Sequence, residues 1–135
     1  MDNRRVNYFV DKENGVVVAE IDGCRDDANT LMNDKFVSNV TSGFDVWEKF
    51  NSKFQMHRKY KAVARLYPGD EWNENLGKSI ALDKLTESYH NSMNKRLALY
   101  AHDFRKIANE IDQYLEKRKF PEKNIRKGID KSENS

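Results

Sequence analysis

Three histidines (His57, His90 and His102) and one cysteine (Cys24) are the side chains most suited to metal binding or general base work in this chain. No two histidines stand four residues apart, the helical spacing of a metal clamp. Neither the single cysteine nor an acidic cluster completes a tetrahedral set with them. No metal is expected. Gly77-Lys78-Ser79 matches the closing residues of a phosphate-cradling loop, but Trp72 stands where that loop needs its first glycine. Asp70, Glu71 and Glu74 also put negative charge at the helix start, where a phosphate would be repelled. No serine sits in a glycine-flanked nucleophile turn. The chain therefore reads as a binding protein with no catalytic residue and no cofactor.

Its remaining equipment suits a small anion that carries a flat ring: cations for phosphate, rings for a base, amides for discrimination. The candidates are Arg65 at the end of a strand, Trp72 beside a turn, Asn75 in a first helical turn, and Lys95, Arg96 and Tyr100 within a helix. Trp72 equally suits a cap on the core, and Lys95 and Arg96 equally suit a solvated helix flank.

The elements that must position these residues follow from patterning. Residues 5–10 are rich in β-branched and aromatic types, and Asn14-Gly15 then marks a hairpin with both residues at positive φ. Val16 to Ile21 is apolar at nearly every position, which predicts a strand covered on both faces. A helix is expected over 26–39, and a second short one over 46–54. Asp45 and Glu48 form a capping box for the second, with Trp47, Phe50 and Phe54 on its core face. Residues 59–67 predict a third strand, stopped by Pro68-Gly69-Asp70. From Asn73 to Lys119 there is no proline and one glycine. Large apolar residues recur there, and from Met93 to Tyr114 the steps alternate four and three, an a/d seam. The segment is either one helix or a hairpin broken near 88–92. A seam this long has little of its own chain to cover it, so a second protomer is expected.

The predicted fold is α+β: a small antiparallel sheet, two short helices and a long C-terminal helix or helical hairpin, assembled as an oligomer. Residues 1–120 form one domain. Pro121 ends the helix, and 121–135 are expected as a disordered charged tail. The formal net charge of +2 is far from that of a dedicated nucleic-acid binder, although 116–131 carry seven basic residues against three acidic. No stable nucleic-acid partner is expected. No apolar run approaches the ~20 residues that span a bilayer, and the first ten residues lack a hydrophobic signal core. A cytoplasmic protein is expected.

The opening strand Arg5-Val-Asn-Tyr-Phe-Val10, its Gly-Val-Val-Val return, the stretch Lys61-Ala-Val-Ala-Arg-Leu-Tyr-Pro-Gly-Asp70 and the helix start Trp72-Asn-Glu-Asn-Leu-Gly-Lys-Ser-Ile-Ala81 resemble small bacteriophage proteins. They are most similar to the phage anti-Thoeris proteins of the first described type. The resemblance covers about 5–21 and 60–85. It implies a small antiparallel sheet with long C-terminal helices, an oligomer, and sequestration of cyclic ADP-ribose signals without cleavage; some members also hold cyclic oligonucleotides. The six candidate residues above come from their own chemistry and are not carried over from that family. Two other readings stay open: a protein-binding inhibitor of a defence nuclease, of the anti-CRISPR kind, and a weak nucleic-acid-binding accessory protein.

Overall fold

The computed structural model describes residues 5–36, 52–67 and 69–134, with side chains through 119. Strands β1 (Val6–Asp11) and β2 (Val16–Ile21) form the expected antiparallel hairpin, with Asp11 opposite Val16 and Val6 opposite Ile21. The turn is not the two-residue Asn-Gly type. The Asn14 N–H donates to Asp11 Oδ1 at 3.2 Å, and Asn14 Nδ2 donates to Asp11 Oδ2 at 2.7 Å. Only Gly15 has a left-handed backbone, with φ of 62°. The longer turn uses ordinary negative-φ residues held by Asp11 and needs one left-handed residue at its end.

Strand β3 (Tyr60–Arg65) pairs antiparallel with β2, giving the order β1-β2-β3. β2 is therefore the central strand, which accounts for its near-continuous apolar run. Val17, Ala19 and Ile21 are buried on one face, while Val16 and Val18 on the other are half-buried. The expected double cover is complete on one side only. After β3, Gly69 at φ 94° and a bond from the Asp70 N–H to the Tyr67 carbonyl (3.1 Å) make a turn. Pro68, expected within it, lies outside the described residues.

Helix α1 (Asp27–Leu31) passes into a wider π turn, Met32–Phe36, and buries Ala28, Asn29 and Met32. Its expected continuation to 39 lies outside the described residues. So does most of the second short helix, including the Asp45–Glu48 box, Trp47 and Phe50; its last part, Ser52–Phe54, is a single 3-10 turn that buries Phe54.

Helix α2 (Glu74–Asn134) is capped by Asn73, whose Oδ1 accepts from the Leu76 N–H at 3.0 Å. It has no break at 88–92, so the long segment is a helix and not a hairpin. Its backbone stays helical past Pro121, which was expected to end it, as far as Asn134. Gly77 lets α2 approach the sheet: a Cβ there would lie 2.7 Å from Val17 Cγ2. On either side of that contact, the Lys78 ammonium sits 5.6 Å from the Tyr8 ring centroid and Lys84 Nζ donates to the Val63 carbonyl at 3.2 Å. The helix thus crosses from β1 toward β3. Ala81, Leu85, Tyr89 and Met93, four residues apart, are its buried stripe.

The chain divides into two units, Met1–Leu99 and Tyr100–Ser135. The first holds the sheet, α1 and the beginning of α2. In the second, Tyr100 is buried and Phe104 half-buried, whereas Ile107, Ile111, Tyr114 and Leu115 are 38% to 59% exposed. Among the described residues no helix is long and apolar enough to cross a membrane.

Candidate functional site

The segment leading into β3 is tied down by backbone bonds: Met56 N–H to the Arg25 carbonyl at 3.0 Å, and Cys24 N–H to the Arg58 carbonyl at 2.9 Å. These place His57 and Tyr60 beside the polar flank of α2. Tyr60 is buried. Its hydroxyl accepts from the His57 N–H at 3.0 Å and is hydrogen-bonded to Ser92 Oγ, either oxygen being able to donate. Arg96 closes the network from the other side. Its Nε donates to the Gln55 carbonyl at 3.1 Å and its Nη1 to Ser92 Oγ at 3.1 Å. The guanidinium is thereby fixed in orientation before any ligand arrives.

Between this segment and α2 lies an open cleft of about 450 Å³. Ligand sites commonly fall within about 300–1,000 Å³. Three cations line it (Lys84, Lys95 and Arg96) against one carboxylate, Glu87. His57 supplies an exposed ring, in edge contact with Tyr60 at 5.7 Å. Ser88, Asn91 and Ser92 supply hydroxyls and an amide. Lys59 and Lys61, close in sequence to the rim, are engaged elsewhere: both reach the Glu20 carboxylate, at 3.1 and 3.4 Å.

Of the six residues singled out from the sequence, Lys95 and Arg96 meet in this cleft. Arg65 and Trp72 meet each other instead at a small apolar space of about 40 Å³, beside Leu66, Leu76 and Ile80. That space holds no nucleotide base. Asn75 is exposed in the first turn of α2, away from the cleft lining. Tyr100 is 1% exposed, so its ring is not open to solvent. The residues that sequence reasoning missed are His57, Tyr60, Lys84, Glu87, Ser88, Asn91 and Ser92. A signal existed for part of the set: 84, 88, 91 and 95 recur at steps of four and three, a polar stripe beside the buried one.

On the opposite flank, Tyr89 donates to Asp27 Oδ2 at 2.7 Å, and Arg5 Nη1 reaches the same oxygen at 3.3 Å. Arg5 Nη2 also donates to the carbonyls of Asp22 (2.9 Å) and Gly23 (2.8 Å). Burial, reinforced by the bond to Asp27, pushes the Tyr89 phenol above its ordinary range and keeps it a donor. Burial and the Asp27 charge push the Cys24 thiol up to about 11. At neutral pH that sulfur is a thiol, not a thiolate nucleophile.

No family model, curated protein or solved structure matches the chain.

Proposed function

We propose that this protein binds a phosphate-bearing cyclic adenine nucleotide in the cleft beside α2 and holds it without cleaving it, as the phage anti-Thoeris sponges do with cyclic ADP-ribose signals. The observation that carries this reading is the charge of the cleft: Lys84, Lys95 and a pre-oriented Arg96 over hydroxyl and amide groups, with one opposing carboxylate. Charge-assisted bonds from such cations to phosphate contribute roughly 1.5–3 kcal/mol each when desolvated. The exposed His57 ring offers a stacking surface that neither Trp72 nor Tyr100 presents to this cleft. Binding without cleavage fits the groups available. Ser92 Oγ is tied to Tyr60 and Arg96, neither of them a base that takes its proton.

A sponge acts by stoichiometry, and we propose that copies of this chain assemble through α2. Ile107, Ile111 and Tyr114 continue the four-three spacing on exposed helix, and a second helix of the same repeat interlocks with that spacing.

Calorimetry against cyclic ADP-ribose isomers and cyclic oligonucleotides, with chromatography of the ligand released on denaturation, tests the reading. One of these ligands is expected to bind and return intact. Lys95→Met is expected to weaken binding about tenfold, the value of one charge-assisted bond in an open cleft, while Lys117→Ala changes nothing. No heat with any of them removes the reading in favour of a protein partner; a hydrolysed ligand makes the protein an enzyme.

A further inference from the structure

We infer that the cleft binds its nucleotide in one direction only, with phosphate at Lys95 and Arg96 and the amino edge of the base at Glu87 and Asn91. The inference rests on the nucleotide reading above and adds to it the recognition of the base. Its starting point is the carboxylate. Glu87 lines a cleft otherwise dominated by cations, yet its side chain makes no hydrogen bond or ion pair among the described residues. The same holds for the side chains of Asn91 and Lys95. An uncommitted carboxylate repels phosphate and attracts a group that donates hydrogen bonds. Lys84, the cation nearest Glu87 in sequence, already donates to the Val63 carbonyl, so the Glu87 end favours a hydrogen-bond donor over a second anion.

Spacing supports the assignment. Glu87 and Asn91 are one helical turn apart on the same face of α2, and Lys95 follows one turn later. At 1.5 Å per residue, Glu87 and Lys95 are separated by about 12 Å along the helix axis. That is the order of the distance from a nucleotide's phosphate to the outer edge of its base. Adenine shows an amino donor beside a ring-nitrogen acceptor; an Asn side chain pairs with both, and a carboxylate accepts from the amino group. Replacing that amino group by a carbonyl oxygen, as in hypoxanthine, puts an acceptor against Glu87 and loses the bond. The cleft thus selects amino-bearing bases over oxo bases, and Glu87 is the residue that sets the preference.

The test uses two ligand pairs that differ at this one group: cyclic ADP-ribose against cyclic inosine diphosphate-ribose, and cyclic di-adenylate against cyclic di-inosinate. Each is titrated calorimetrically into wild type, Glu87→Gln, Asn91→Leu and Lys95→Met. Both Glu87 and Asn91 are exposed, and circular dichroism checks that the variants keep their helix. The wild type is expected to prefer the amino member of at least one pair about tenfold or more. Glu87→Gln, whose amide both donates and accepts, is expected to reduce that preference to within about threefold. Lys95→Met weakens both members of the pair equally. Equal wild-type affinity within each pair, or a preference unchanged in both Glu87→Gln and Asn91→Leu, overturns the inference and leaves nucleotide binding intact. Binding of none of the four, nor of the other cyclic ADP-ribose isomers and cyclic oligonucleotides, overturns both.

Discussion

Gly77→Ala sets two known effects against each other, and the structure decides which wins. In an exposed helix the change gains about 1 kcal/mol, because alanine restricts the unfolded chain and suits the helix. Here the new Cβ meets Val17 Cγ2 at 2.7 Å, closer than carbon atoms approach. Val17 cannot swing aside. It is β-branched, buried at 1% exposure, and paired on both sides, with Val10 and Ala64. Overpacking against a rigid neighbour costs about 1–3 kcal/mol. The helix must lift or the strand must shift. The expected net effect is a loss of up to about 2 kcal/mol, which lowers the melting temperature by up to about 16 °C for a unit of this size. Urea denaturation followed by far-ultraviolet circular dichroism measures it. Val17→Ala alone leaves a void and loses roughly 2 kcal/mol. Adding Gly77→Ala to it should cost nothing further, since the clashing methyl has gone, giving a coupling energy of about 1 kcal/mol or more. A higher melting temperature for Gly77→Ala in the wild-type background refutes the close approach of α2 to β2.

Alkaline pH probes the Cys24 and Tyr89 cluster. Both groups have folded-state pKa values raised above their unfolded ones, so the stability they contribute is complete below about pH 9 and is lost as pH rises toward 11. The melting temperature should fall across that window, less steeply in Cys24→Ala, and a flat profile contradicts the buried thiol. Ile107→Asp with Ile111→Asp should leave the fold of the first unit unchanged and yield a monomer by light scattering where wild type is larger. A wild-type monomer at micromolar concentration removes the assembly proposal.

The hairpin, the third strand and α2 were legible because each depends on local pattern: alternation, turn residues, and steps of three and four. The turn geometry was not. Asn14-Gly15 indicated a two-residue loop, but the contact that chose the longer one comes from Asp11, outside the dipeptide. The site divides the same way. Lys95 and Arg96 were found from their own chemistry on a helix. His57 and Tyr60 were missed because their place beside α2 follows from the pairing of Tyr60 with Ile21, which no local window contains. Arg65 and Trp72, both offered from the sequence as ligand residues, line an apolar space too small for the proposed ligand.

The Arg5 clamp bears on the order in which the chain folds. Its partners, Asp22, Gly23 and Asp27, all precede residue 28, so the hairpin and its clamp can form from the first part of the chain alone. Hairpins close in about 1–10 μs. β3 starts far from its partner β2, and joining Tyr60 to Ile21 closes a long loop whose entropic cost grows by about 0.6 kcal/mol for each doubling of length. Tyr89, which completes the Asp27 site, is later still. The slow step therefore lies in docking β3 and α2 onto a preformed hairpin, and a chain stalled there exposes the apolar edge of β2 to its neighbours.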